Sequence, residues 1–146
     1  MDRKEINQII NDKQAVDIIS LTAEVARKLT IIYENDFGYR GLYFCMISIT
    51  NPDKSTCYST KEYLDSILDE LHSCEKANEQ HFSTIKSMVY AAQASISDSL
   101  DDVCSNALDS IEHAYAAASA APDIYDNINY CINIWKAKWN NMTPSV

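Results

Sequence analysis

Residues 96–121 read ISDSLDDVCSNALDSIEHAYAAASAA, and the period of this stretch decides the fold class. At about 100° per residue, Ile96, Leu100, Val103, Cys104, Ala107, Ile111, Ala114, Tyr115 and Ala118 fall on one side of a helix. Asp98, Asp101, Asp102, Asp109 and Glu112 gather on the opposite side, in a sector of roughly 100°. No basic residue accompanies them, and none occurs anywhere between Lys86 and Lys136. The reading is one long amphipathic helix with an acidic face. It either continues a preceding helix or restarts near Ser95–Ser97, with Asp98 favouring the helix dipole in its first turn. Its small, apolar last turns, AYAAASAA, allow another helix to approach closely.

The flanking segments follow the same period. Residues 3–35 carry Ile6, Ile9 and Ile10, then Val16, Ile19, Ala23, Ala26, Leu29 and Tyr33 at three- and four-residue steps. Asn11 or Asp12 is placed to cap a second helix within this span. Ser59-Thr60-Lys61-Glu62 reads as a capping box. The helix it opens has Leu64, Ile67, Leu68, Leu71 and Cys74 on one side and Glu62, Asp65 and Asp69 on the other, a second acidic face. Ser83 is a candidate cap for a further helix through Ile85, Met88, Val89, Ala92 and Ile96. After Pro122, which ends the acidic helix, Asp123 is placed to cap a final helix. Its apolar side holds Ile124, Ile128, Cys131, Ile132, Trp135 and Trp139.

Residues 37–58 stay ambiguous. Phe37–Gly41 holds both glycines and reads as a turn. Leu42–Thr50, LYFCMISIT, is apolar with little alternation, and periodicity alone does not separate a short buried helix from a strand. A lone strand has no evident partner, which favours the helix. Residues from Asn51 to Tyr58 read as loop.

Composition supports the pattern. The chain has 146 residues, 47% of them apolar, with only two glycines and three prolines. That length suits one domain with one core, and sheet folds need more turn residues. The expectation is all-α: a single compact helical bundle of about five to six helices spanning 1–146.

The net charge is −9, unevenly spread. Residues 51–130 hold fourteen acids against four bases, whereas residues 1–50 hold seven against six. Such a field repels nucleic acid and anionic membranes and attracts basic partners. Five cysteines, odd in number and without a CxxC, point to free thiols in a reducing compartment. The N-terminus lacks the apolar core of a signal peptide, and no run of about 18 apolar residues exists to span a membrane. A cytoplasmic protein is expected.

Catalytic chemistry has no legible motif. His72, His81 and His113 are scattered, and no HExxH, ExxH pair, nucleophile elbow or glycine-rich phosphate loop occurs. The spacing of Asp98, Asp101 and Asp102 brings carboxylates together, but an EF-hand loop needs alternating ligands and a glycine. No enzyme, no cofactor and no metal are expected. The expectation is a binding protein whose carboxylates, Asp98, Asp101, Asp102, Asp109, Glu112, Glu62, Asp65 and Asp69, meet Lys and Arg of a basic partner. Its most concrete form is an immunity protein, or antitoxin, against a cationic nuclease toxin, with carboxylates standing in for phosphates. A nucleic-acid mimic that inhibits a DNA-binding protein is a close variant. A different class is a viral or pathogen-encoded helical module that binds a host protein through an apolar groove near Trp135 and Trp139.

Overall fold

A computed structural model describes residues 12–37, 45, 48–49, 54–119 and 126–141. Five helices are delimited among the described residues: α1 (Asp12–Phe37), α2 (Lys54–His72), α3 (Glu79–Ile96), α4 (Leu100–Ser119) and α5 (Asp126–Asn141). No strand occurs among the described residues, and the helices form a compact bundle. The all-α expectation holds. Within 37–58, Cys45, Ser48 and Ile49 are helical, in line with the helix favoured there, and the remainder of 38–53 lies outside the described residues. So do residues 1–11 and Asp123.

The α3–α4 hairpin is the centre of the bundle. Its turn, Ser97–Ser99, is closed from both sides. The Ser97 hydroxyl donates to the Gln93 carbonyl at 2.6 Å and accepts from the Asn106 amide at 3.2 Å. Ser99 Oγ accepts from the Asp102 N–H at 3.1 Å, which makes Ser99 the N-cap of α4. The two helices then run antiparallel with small residues facing: Ala91 and Ala94 on α3, Ala107, Ala114, Ala117 and Ala118 on α4, all buried. Ser87 and Ser110 sit at the crossing. Near the far end, Gln80 Nε2 donates to the Ala117 carbonyl at 3.0 Å.

Two apolar clusters flank this hairpin. In the first, Ile18, Val25 and Leu29 of α1 meet Val103, Cys104 and Ile111 of α4 and Ile128, Ile132, Trp135 and Trp139 of α5. In the second, Leu64, Ile67 and Leu71 of α2 meet Ile85, Met88 and Val89 of α3, with Ala23 and Ala26 of α1. Helix α1 therefore serves both clusters through different sectors of its surface. It packs on α3, α4 and α5, whereas α2 packs on α3 alone among the five helices. The indole N–H of Trp135 donates to Thr22 Oγ1 at 2.9 Å, and that hydroxyl donates to the Ile18 carbonyl at 2.7 Å. This two-step relay pins α5 to α1. Lys138 and Asp17 add an ion pair at 3.3 Å.

Two helix starts differ from the sequence reading. Helix α2 begins at Lys54, so Ser59 lies inside it and the Ser59/Glu62 capping box does not form. Tertiary contacts extend it backward: Cys57 is buried, and Thr60 Oγ1 meets Ser48 Oγ at 2.6 Å. Helix α3 begins ahead of Ser83, capped by Asn78. The Asn78 side chain accepts from the His81 N–H at 3.2 Å, and His81 Nδ1 accepts from the Asn78 N–H at 3.1 Å. An imidazole takes the place of the usual Glu or Gln of the capping box. His81 is buried in that structural role.

Candidate protein-binding surface

Helix α4 presents its acids much as the period requires, with one exception. Asp101, Asp102 and Glu112 are exposed and Asp109 is half-buried, while Val103, Cys104, Ala107, Ile111, Ala114 and Ala118 are buried on the other side. Asp98 does not belong to this helical face. It lies in the bend before Ser99, exposed but outside the helical lattice, because two serines end α3 and restart the chain there. Asp101 and Asp102 occupy the first turn of α4. There they favour the positive end of the helix dipole, worth about 0.3–1 kcal/mol each, and so have a structural role that needs no partner. Asp109 and Glu112 have no such role.

The second acidic face does not adjoin the first. On α2, Glu62 and Asp69 are exposed and Asp65 is half-buried. Asp65 is paired with Lys61 at 2.8 Å. Helices α2 and α4 do not touch, because α3 lies between them. A cleft of about 280 Å³ fills the interval, lined by Asp65 and Leu68 of α2, Lys86, Tyr90 and Gln93 of α3, and His113 of α4. A continuous acidic surface across both helices is thereby ruled out at this point: Lys86 stands in the gap. Tyr90 and His113 stack across α3 and α4, ring centroids 5.5 Å apart and planes 2° from parallel. Burial and the Lys86 charge lower the pKa of His113, while Asp109 and Glu112 oppose them.

The feature that the apolar period missed lies on the other flank of α4. Tyr115 was placed on the apolar side, yet it is 53% exposed. It forms one wall of a groove of about 410 Å³ with Leu108, Ile111 and Glu112 of α4. Trp135, Lys136, Trp139 and Asn140 of α5 supply the rest. The groove exists because α4 and α5 touch over a short stretch only. Its floor is ordered: the Trp135 and Trp139 rings stack at 4.8 Å, and the Lys136 ammonium lies 4.8 Å from the Tyr115 ring centre. Tyr130 and Ile134 are also exposed, one turn apart on α5, but do not line it.

Among the described residues no group of three His, Cys, Asp or Glu side chains is placed to hold a metal ion. The five cysteines are free thiols. Burial raises the pKa of Cys45 and Cys131, and burial with nearby Asp101 raises that of Cys104 to about 11. Such thiols are poor nucleophiles near neutrality. No described helix is long and apolar enough to cross a membrane. The chain has no significant match to any protein-family model, curated protein or solved structure.

Proposed function

We propose that this chain is a small acidic binding protein that neutralises a basic protein partner, most concretely as an immunity protein against a cationic nuclease toxin. One observation carries the reading: α4 holds exposed Asp101, Asp102 and Glu112 and half-buried Asp109 on one side, without a single lysine or arginine in the helix. Like charges on one helix face cost stability when nothing intervenes. A partner's Lys and Arg side chains relieve that repulsion, above all at exposed Asp102 and Glu112, and the α3–α4 hairpin holds the acceptors in place for them. The gain lies mainly in association rate and specificity.

The test is charge reversal at the two acids without a role in the dipole. Asp109→Lys with Glu112→Lys is expected to keep the helical circular dichroism and to weaken binding of the captured partner by at least about a hundredfold, with a Kd that rises steeply with salt in the parent protein. Unchanged affinity in the double variant would remove the acidic-face reading.

The Tyr115 groove favours a second reading, in which the chain is a helical module that takes a partner by apolar contact alone. Binding nearly independent of ionic strength is the outcome that selects it.

A further inference from the structure

The cleft between α2 and α4 holds two opposite charges that do not meet. Asp65 enters its lining from α2 and Lys86 from α3, and no ion pair joins them. Opposite charges sharing one cleft attract, so the gap between these two is set by the helices that carry them. Asp65 Oδ2 accepts from Lys61 at 2.8 Å. A carboxylate has about four acceptor positions, so Asp65 retains capacity for a second cation. Lys86 is the only base between Lys76 and Lys136. It is half-buried and has no ion-pair partner among the described residues. Gln93, two turns along α3, and His113 of α4 add donors and acceptors to the lining. The lowered pKa of His113 keeps its ring neutral near pH 7, and Lys86 is the largest of the charges acting on it. Leu68 and Val89 form an apolar part of the lining. At about 280 Å³ the cleft falls just short of the roughly 300–1,000 Å³ of sites for drug-sized ligands.

We infer that this cleft binds a small zwitterion of the amino-acid class, with its carboxylate against Lys86, its ammonium against Asp65 and a short apolar side chain against Leu68 and Val89. The charges decide the class. A simple anion would meet the Asp65 carboxylate, with Asp109 and Glu112 also acting on the His113 side of the cleft. A simple cation would meet Lys86. Such like-charge contacts reject a ligand. A molecule with no net charge and separated ionic ends satisfies both walls at once. The inference is independent of the acidic-face reading, which rests on α4.

The test is an NMR titration of the full chain with leucine near neutral pH, read at the His113 ring and the Gln93 side-chain amide. Leucine is expected to shift both saturably, with a Kd of about 1 mM or tighter. Three analogues each lack one part: isocaproate the ammonium, isoamylamine the carboxylate, and glycine the apolar side chain. Each is expected to bind at least about tenfold more weakly than leucine. Lys86→Gln is expected to abolish the advantage of leucine over isoamylamine, and Asp65→Asn its advantage over isocaproate, with circular dichroism showing that both variants fold. Among the five helices α2 packs on α3 alone, so a ligand bridging Asp65 and Lys86 is also expected to slow deuterium exchange of the α2 amides. Isocaproate that binds as tightly as leucine makes this a plain carboxylate site and overturns the proposal. Isoamylamine that does so makes it a cation site and overturns it equally. Unchanged leucine affinity in either folded variant overturns the assigned contacts. No saturable shift by leucine up to about 50 mM overturns the site itself. The acidic-face reading stands in each of these outcomes.

Discussion

Ser87 and Ser110, both fully buried, exchange hydroxyl hydrogen bonds across the α3–α4 crossing. Ser87 Oγ donates to the Ser110 carbonyl at 2.8 Å, Ser110 Oγ donates to the Ser87 carbonyl at 2.7 Å, and the two oxygens are 3.2 Å apart. Side chains this small let the two backbones come near enough for the exchange. Ser87→Ala is expected to cost about 1 kcal/mol. Ser87→Val, which keeps no donor and adds bulk at the crossing, is expected to cost about 2–3 kcal/mol. Because the two bonds form one unit, Ser87→Ala with Ser110→Ala is expected to cost less than the two single losses together. Urea unfolding followed by circular dichroism measures the parent, the two Ser87 variants, Ser110→Ala and the double variant.

The Trp135–Thr22 relay makes a sharper contrast. Thr22→Val keeps the side-chain shape and removes the acceptor, which leaves a buried indole N–H with no partner. A loss of about 1–3 kcal/mol is expected. Thr22→Ser keeps the hydroxyl and is expected to cost less than half as much, chiefly for the missing methyl. Equal losses in the two variants would show that the hydrogen bond contributes nothing beyond packing.

His113 stands between opposing charges. Burial and Lys86 favour its neutral form, and Asp109 and Glu112 favour its protonated form. Lys86→Gln is expected to raise its pKa and Glu112→Gln to lower it, both read from the ring proton shifts in an NMR titration. The sign for stability follows. With the folded pKa below the ordinary 6.5, the unfolded chain binds the proton first. Stability from this group is present above pH 6.5 and is lost as pH falls through the folded value.

Cys104 acts at the alkaline end. Well below pH 9 the thiol is protonated in both states and contributes no pH dependence. Between the ordinary value of 9.0 and the folded value of about 11, the unfolded chain releases its proton first, so stability falls as pH rises. Urea midpoints measured from pH 8.5 to 10.5 are expected to fall more steeply for the parent than for Cys104→Ala. Parallel slopes would place the alkaline loss in other groups.

Period made the helices legible and left their partners unread. Leu29, Val103, Ile111, Ile132 and Trp135 all announce burial by spacing, and all are buried. Ser87, Ser110 and Thr22 are buried too, but a polar residue on an apolar face reads as a flaw in the pattern until its hydrogen-bond partner on another helix is known. Helix starts went astray for a related reason. The Ser59/Glu62 pair has the letters of a capping box, yet Cys57 and Thr60 are held by contacts from distant sequence. Asn78 caps α3 through a histidine that the usual motif does not include. The acids of α4 were readable because charge sorts to solvent without help. Their separation from Glu62, Asp65 and Asp69 was not, since it depends on which helix lies between. The groove at Tyr115 is a property of two helices that diverge, and neither helix alone encodes the gap.

The attachment of α2 to α3 alone, among the five helices, divides the molecule by the work needed to open it. Peeling α2 away opens its seam with α3 and its contacts with Ser48 and Ile49, whereas freeing α1 or α4 disrupts seams with three other helices at once. Amide hydrogens of α2 are expected to exchange with deuterium at lower opening free energy than those of α4. One side of this protein can therefore breathe, accept substitutions or be remodelled over generations while the wall that carries Glu112 and Tyr115 keeps its shape.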